Sequence, residues 1–377
     1  MATINVRSRA PFDSFTFDMY NRLLDTISID YQAHYIWSDP PWELKEFLNN
    51  VKCTRSNIVL GIKDLLDMWD EVDYWGSHET KGAINILRLA KKYPKKNFVL
   101  FTSLENLESE IPVDTNVQIV PWGGDIINQI NLYTELEPVL NKNFDSDKTF
   151  ISLNRQPRSH RIVLLSYLLG QGLDRYGYLS YLKPEKHTDF LDRISWSFSP
   201  EHDKKRQQIL NGYDRLLAED LQVDDPDIYG PKPNDNIGNF NRSLRSKYIN
   251  SFVEIVSEST FTSSSFLVTE KTLHSVYGCN FPIILNSPGA VLQWRSLGFD
   301  LFDDIVDHSY DAISNPFDRI FAAVDRNRRL LMDPGYAKQC WADCRDRFVN
   351  NIKVAKTIDF WYKNRTQTIF SNLKWID

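Results

Sequence analysis

Short apolar segments alternate with helical stretches through the first 145 residues, and this alternation restricts the fold more than any other feature. Three segments have the length and composition of buried strands: NIVLGI (57–62), FVLFTS (98–103) and VQIVPW (117–122). The stretch ETKGAINILRLAKKY, which precedes the second of them, has helical periodicity. Strands that are apolar on both faces are typical of a parallel sheet covered by helices on both sides. The pattern therefore predicts an α/β domain.

The same alternation resumes after the polar segment LNKNFDSDKTF. Predicted strands are TFISL (149–153), FVEIVSE (252–258) and FPIILN (281–286). Predicted helices are SHRIVLLSYLLGQ (159–171), a helix beginning at about Thr269, and AVLQWRSLG. We interpret the polar stretch between about 199 and 247 as a surface excursion. A second α/β unit therefore follows the first.

A chain of 377 residues is long enough for two domains. We predict an acceptor-binding domain over residues 1–145 and a donor-binding domain over residues 146–350. The remaining residues, 351–377, have helical periodicity and are predicted to form a carboxyl-terminal helix that packs back on the first domain.

Charge and cysteine content give no support to several classes of protein. The net charge of −6 gives no global basic field for nucleic acid. Four scattered cysteines, Cys53, Cys279, Cys340 and Cys344, form no CxxC motif and indicate neither a zinc site nor a disulfide framework. No apolar leader and no apolar run long enough to span a membrane is present. We therefore expect a cytoplasmic protein.

Basic residues follow the strand TFISL, where it runs into NRQPRSHR. Asn154, Arg155, Arg158 and Arg161 lie between this strand end and the start of the next helix. In open α/β sheets ligands bind at the carboxyl ends of strands, and a helix amino terminus favours anions. Closely spaced guanidinium groups suit phosphate oxygens. The alternative interpretation is an arginine-rich turn that faces solvent.

A second polar cluster, Thr269, Glu270 and Lys271, follows the strand FVEIVSE and a loop. It stands at a predicted helix start, where Thr269 can cap the helix and Lys271 can face an anion. The alternative is a capped helix that carries a surface ion pair. Two basic clusters after neighbouring strands favour a diphosphate that is bound without a metal.

Together these segments resemble the carboxyl-terminal donor domain of alpha-1,3-fucosyltransferase-like glycosyltransferases. The family's short D-x-x-G segment is matched by residues 174–177, and its glutamate–serine pair by Glu258 and Ser259. Its Y-V-T-E-K motif is matched by LVTEK (267–271), with leucine in place of tyrosine. The resemblance covers roughly residues 148–300, the predicted donor domain.

The resemblance implies a GT-B architecture, in which two Rossmann-like domains face a central cleft. It implies a UDP- or GDP-linked sugar as the donor, no other cofactor and no metal. By this resemblance the diphosphate would be held by Arg161 and Lys271. Glu270 would bind a ribose or sugar hydroxyl. The full predicted donor set is Asn154, Arg155, Arg158, Arg161, Tyr176, Thr269, Glu270 and Lys271.

An inverting transfer also needs a general base from the first domain. Asp125 follows the strand VQIVPW and two glycines, which let a ligand approach closely, although it can equally cap the next helix. Glu79 and His78 are the next candidates.

The acceptor is open at this stage. A carbohydrate acceptor is the family's usual one. Hydroxymethylated pyrimidines in DNA are a second possibility, by analogy of fold with viral DNA glycosyltransferases. A protein that binds nucleotide sugars without catalysis is a third.

Overall fold

The computed structural model describes most of the chain in separate ranges. These are residues 4–7, 31–36, 50–62, 81–102, 115–121, 137–154, 158–181, 203–219, 221, 244–258, 261 and 270–376. The chain divides into two compact units. The first comprises Met1–Asn131, Thr262–Thr269 and Thr357–Asp377, and the second comprises Leu132–Phe261 and Glu270–Lys356. Each unit contains a parallel sheet, so the protein has a two-domain α/β fold.

The first unit contains a five-stranded parallel sheet in the order β1-β2-β3-β4-β5. Its strands are β1 (Ile4–Arg7), β2 (Tyr31–Ile36), β3 (Asn57–Ile62), β4 (Asn97–Thr102) and β5 (Val117–Pro121). Helix α1 (Lys81–Lys92) connects β3 to β4. The predictions of β3, β4, β5 and α1 are confirmed, whereas β1 and β2 were not predicted. The spatial order follows the chain order, so the strand order does not reverse within the described sheet.

Both faces of the first sheet are buried. Alternate residues of β3 and β4 pack against α1, forming a cluster that includes Ile58, Leu60 and Phe98. The intervening residues face the opposite way and pack with Phe370, near the end of the last helix. This two-sided burial explains why β3 and β4 are apolar without alternation.

The carboxyl-terminal tail is bound at the amino ends of three strands of this sheet. Asn57 Nδ2 donates to the Ile376 carbonyl (2.7 Å) and its Oδ1 accepts from the Ile376 N–H (3.0 Å). Asn97 Nδ2 and Gln118 Nε2 both donate to the Lys374 carbonyl, at 2.8 and 2.6 Å. Gln118 Nε2 also donates to Asn97 Oδ1, and Asn97 Nδ2 to Asn57 Oδ1. We call these three side chains the amide ladder.

The second unit contains a four-stranded parallel sheet in the order β7-β6-β8-β9. Its strands are β6 (Phe150–Asn154), β7 (Gly177–Tyr181), β8 (Val253–Ser257) and β9 (Phe281–Leu285). The predictions of β6, β8 and β9 are confirmed, and β7 was not predicted. The chain moves outward from β6 to β7 and then crosses back to β8 and β9. The strand order therefore reverses between β6 and β8, which is the point at which open α/β sheets bind ligands.

Helices surround the second sheet. They are α2 (Ser159–Gly170), α3 (Asp203–Ala218), α4 (Arg245–Ile249), α5 (Glu270–Gly278), α6 (Ala290–Ser296), α7 (Pro316–Arg326), α8 (Arg328–Met332), α9 (Pro334–Asp343) and α10 (Arg345–Ser371). Short 3-10 helices occupy Leu173–Tyr176 and Ser309–Ala312. Helix α10 contributes residues to both units. Within the described ranges, no helix is both long and apolar enough to cross a membrane.

Helix α3 corrects the interpretation of residues 199–247 as a surface excursion. It buries Ile209, Tyr213 and Leu216 and packs against α2. The approach is close because a Cβ on Gly212 would lie 1.8 Å from the Ser166 carbonyl oxygen. The buried residues recur every three to four positions, a helical face that the polar composition of the segment concealed.

Candidate functional site

The backbone pairing between β6 and β8 ends before the carboxyl edge of the second sheet. Each strand pairs along its whole length with its outer neighbour, β6 with β7 and β8 with β9. With each other they pair only through Phe150–Ile151 and Val253–Glu254, although both strands continue for three more residues. The backbone ladder between them therefore ends three residues before the carboxyl end of each strand. We call the region at these two strand ends the β6–β8 crevice, after the crevice in which open α/β sheets bind ligands at a strand reversal.

A chain of hydrogen bonds spans the β6 side of the crevice. Asn154 Nδ2 donates to Ser152 Oγ (2.9 Å), and Ser152 Oγ donates to the Ile255 carbonyl on β8 (3.2 Å). The Asn154 N–H donates to Ser180 Oγ on β7 (3.1 Å). Side-chain bonds replace the backbone ladder here, and they fix Asn154, a predicted donor-binding residue, at the end of β6.

Arg161 connects the first turn of α2 to the end of β8. Its side chain is 2% exposed, and Nη2 donates to the carbonyls of Ser257 (3.1 Å) and Glu258 (3.3 Å). Carbonyl oxygens at a strand end attract cations, which accounts for a guanidinium buried at this position. Arg158 precedes the helix in an extended conformation at the N-cap position. The structure thus brings a buried positive charge to the carboxyl edge.

His160 binds the same strand end in its neutral form. Its Nε2 lies 2.9 Å from the Glu258 carbonyl, and because a carbonyl can only accept, Nε2 carries the proton. Burial, together with the charges of Arg161 and Arg158, holds the pKa of His160 well below its ordinary value. The imidazole stacks on Phe261, with ring centroids 4.8 Å apart. This histidine is therefore a neutral packing and hydrogen-bonding group.

Arg319, on α7, supplies a second buried guanidinium near Phe261. Its side chain is 0% exposed and lies over the Phe261 ring, 4.3 Å from the centroid. It donates to the carbonyls of Ile313 (2.6 Å) and Phe261. Burial lowers the pKa of Arg319 to about 10, so the group stays charged at neutral pH. Sequence reasoning missed this residue, which lies far along the chain from the predicted motifs.

Helix α5 begins beside the end of β8. Thr272 Oγ1 donates to Glu258 Oε1 (2.7 Å), which fixes the first turn of the helix to the strand. Lys271, the preceding residue, is half-buried. Burial raises the pKa of Glu254 on β8 to about 8, and the charge of Lys271 acts in the opposite direction, so this ammonium group lies within electrostatic reach of β8.

The structure brings several of the predicted donor-binding residues to this one edge, namely Asn154, Arg158, Arg161 and Lys271, together with the backbone of Glu270. Tyr176 is placed elsewhere. Its carbonyl accepts from the N–H of Thr149, the residue before β6, so Tyr176 lies at the amino edge of the sheet. Arg155, Thr269, the side chain of Glu270, and the candidate bases Asp125, Glu79 and His78 lie outside the described residues.

Asp174, in the D-x-x-G segment, has a structural role. Arg215 on α3 makes two hydrogen bonds to its carboxylate, at 3.2 and 2.9 Å. The segment therefore helps to fix α3 near the amino edge of the sheet, away from the crevice.

A polar cavity of about 490 Å³ lies in another part of the second unit, lined by Arg295 and residues 303–309. Two of its three carboxylates are paired with arginines, Asp303 with Arg295 and Asp304 with Arg347, and Asp307 accepts from the Ser309 N–H. The arginines among its surroundings are engaged by carboxylates, so this cavity suits an anionic ligand less well than the carboxyl edge does. In the described ranges, no group of three or more His, Cys, Asp or Glu side chains could hold a metal ion.

Lys142 is buried at the opposite, amino edge of the second sheet. Its Nζ donates to the carbonyls of Tyr248 (2.7 Å), Ser251 (2.9 Å) and Gly278 (2.6 Å) and to Asn280 Oδ1. Burial lowers its pKa to about 7. Shifted pKa values often mark functional sites. All four of these hydrogen bonds of the Lys142 ammonium group are to the protein's own chain. Lys142 therefore connects the segments that lead into β8 and β9.

Comparison of the sequence with models of known protein families and with curated proteins gives no match. The assignment of function therefore depends on the carboxyl edge of the second sheet and on the resemblance of its motifs.

Proposed function

We propose that the protein is a glycosyltransferase of GT-B architecture that moves a sugar from a nucleoside-diphosphate sugar to an acceptor hydroxyl. The donor binds at the carboxyl edge of the second sheet. The observation that carries this proposal is the β6–β8 crevice at the point of strand reversal, with the amino-terminal turns of α2 and α5 beside it. The polar cavity described above is lined by residues 303–309 and Arg295 and does not lie at a strand reversal.

The chemistry of the transfer fits the charges at this edge. As the sugar–phosphate bond breaks, negative charge develops on the departing diphosphate. Cations and helix amino termini that are already in place stabilise this charge more than they stabilise the ground state. Lys271 and Arg161 lie in the first turns of α5 and α2, respectively.

The two cations have different roles in this proposal. Lys271 is half-buried, so its ammonium group can contact a phosphate directly. Arg161 is almost fully buried and donates to the end of β8, so it acts as a positioning residue that also contributes positive charge through the low-dielectric interior. We propose that an inverting reaction uses Asp125, or failing it Glu79, as the base, and that the acceptor is a carbohydrate.

Binding of a panel of nucleotide sugars tests this proposal. UDP-glucose, UDP-galactose, GDP-mannose and GDP-fucose are compared by thermal shift, because a ligand at 100 times its dissociation constant adds about 2.7 kcal/mol of stability. We expect one nucleotide class to stabilise the protein strongly. Stabilisation by none of them would contradict the proposal.

A second measurement separates an enzyme from a binding protein. The protein is incubated with the best donor and a mixture of oligosaccharide acceptors, and free nucleoside diphosphate is measured. Release that depends on the acceptor is expected of a transferase. Strong donor binding without any acceptor-dependent release would favour a non-catalytic nucleotide-sugar-binding protein.

A further inference from the structure

Asn154 and Ser257 end the two strands that border the β6–β8 crevice. The β6–β8 register pairs Phe150 with Val253, and continuing it along both strands places Asn154 opposite Ser257. Since side chains alternate between faces, both project from the same face of the sheet. Asn154 is 0% exposed and Ser257 1% exposed. Two buried polar side chains therefore project from one face of the sheet, at neighbouring strand ends beyond the backbone ladder.

The proton positions around Asn154 follow from its partners. The Ile255 carbonyl can only accept, so Ser152 Oγ uses its proton there and accepts from Asn154 Nδ2. The amide of Asn154 is thereby oriented with its nitrogen towards Ser152. Its Oδ1 is buried and has no hydrogen-bond partner among the described residues.

Ser257 Oγ also lacks a hydrogen-bond partner within the described part of the chain. Buried polar atoms in proteins are nearly always paired, so two unpaired atoms on neighbouring strand ends are an exception that calls for a partner. The carbonyl of the same serine accepts from Arg161. The unpaired hydroxyl therefore lies beside the proposed donor site.

We propose that Asn154 Oδ1 and Ser257 Oγ form a subsite that binds the hydroxyl groups of a sugar ring in the donor, an inference that rests on the proposed function. Asn154 Oδ1 is an acceptor and needs a ligand group that carries a proton. A phosphate at neutral pH offers acceptors only, so the subsite selects hydroxyls and rejects phosphate. The hydroxyls come either from the ribose of the nucleotide or from the transferred sugar.

The Ser257→Ala variant tests the subsite with little risk to folding, because it removes a hydroxyl that bonds to nothing in the described structure. We expect an unchanged or higher melting temperature for the unliganded protein. Binding of the preferred nucleotide sugar from the panel above, measured by isothermal titration, should weaken by about tenfold, the effect of one good hydrogen bond.

Ser166→Ala is the matched control. Ser166 lies in α2, is fully buried, and its Oγ also has no described hydrogen-bond partner. Ser166 lies in the middle of α2, where its backbone approaches Gly212 of α3, so Ser166→Ala should bind the donor as the wild type does. Equal weakening in both variants would show a general effect of core changes and would overturn the subsite.

Two further ligands identify the source of the hydroxyls. If the ribose occupies the subsite, Ser257→Ala weakens binding of the free nucleoside diphosphate as much as binding of the nucleotide sugar. The 2′,3′-dideoxy analogue of the nucleoside diphosphate then binds wild type and variant equally. If the transferred sugar occupies it, only the nucleotide sugar is weakened. Either result supports the subsite. Binding of every ligand within twofold of wild type would overturn the subsite alone, whereas no nucleotide binding by the wild type would overturn it together with the proposed function.

Discussion

Replacing Asn97 by alanine should destabilise the first unit, because Asn97 is the middle member of the amide ladder. Its side chain is only 7% exposed. It donates to the Lys374 carbonyl (2.8 Å) and to Asn57 Oδ1 (3.2 Å), and it accepts from Gln118 Nε2 (2.8 Å). The substitution removes all three bonds at the start of a central strand.

The size of the destabilisation follows from the hydrogen bonds that the partners of Asn97 keep in the variant. Asn57 Oδ1 still accepts from the Ile376 N–H, and Gln118 Nε2 still donates to the Lys374 carbonyl. No described partner is left wholly unpaired, so the cost is the net value of the bonds themselves, about 0.5 to 1.5 kcal/mol each. We expect a loss of about 2 to 4 kcal/mol in the free energy of unfolding of this unit.

The assay is hydrogen exchange of the β4 amides, which reports on the first unit even if the two units unfold separately. Each variant is measured in the full chain and in a chain that ends at residue 373. One of the bonds of Asn97 is to Lys374, so Asn97→Ala should cost about 1 kcal/mol less in the shortened chain.

Asn116→Ala is the control for this cycle, since Asn116 donates to the carbonyls of Tyr93 and Lys96 and not to the tail. Its cost should be the same in both chain lengths. If Asn97→Ala also cost the same in both, or cost less than about 0.5 kcal/mol in the full chain, the tail would not be held by the ladder as described.

Three other predictions concern the second unit. Burial raises the pKa of Asp311 from 3.8 to about 6, so the folded protein binds a proton that the unfolded chain releases. This proton uptake stabilises the folded protein below pH 4, and the stabilisation is lost as the pH rises through 6. Asp311→Asn should remove this decline, about 3 kcal/mol, from the free energy of unfolding measured against pH. An unchanged pH dependence in the variant would refute the assignment. Gly212→Ala should separate α3 from α2 and lower the melting temperature sharply, because the added Cβ meets the Ser166 carbonyl. Gly335→Ala is the control and should not lower the melting temperature, because its Cβ would make only an ordinary van der Waals contact. Transfer activity should survive a strong chelator, because in the proposed function side chains and helix ends neutralise the diphosphate. Loss of turnover that manganese or magnesium restores would contradict this.

The sheet strands that are buried on both faces were the part of the fold that the sequence predicted best. In β4 every residue is buried, and residues 98–101 are apolar without interruption. In β2, by contrast, Gln32 and His34 interrupt the apolar pattern, because Gln32 bonds to the chain at Thr54 and to His34. Polar side chains that are satisfied within the fold thus conceal a strand from pattern analysis.

The candidate site could be located only in part from the sequence. The rule that ligands bind at strand ends identified Asn154, Arg161 and Lys271, because it needs only the positions of strands. The strand order and the early end of the β6–β8 ladder depend on pairing between segments about 100 residues apart, which no local pattern encodes. No sequence pattern therefore distinguished Ser257 from the other strand residues, and the burial of Arg161 against β8 was not predicted.

Donor binding by Lys271→Ala tests the central claim most directly. Lys338→Ala is the control, since Lys338 is a similarly half-buried lysine on α9 of the same unit. Isothermal titration with the nucleoside diphosphate that binds the wild type should show at least about tenfold weaker binding for Lys271→Ala. Lys338→Ala should bind this ligand with the affinity of the wild type. Normal affinity in Lys271→Ala would mean that the diphosphate does not bind at the start of α5, and the glycosyltransferase proposal would lose its donor site.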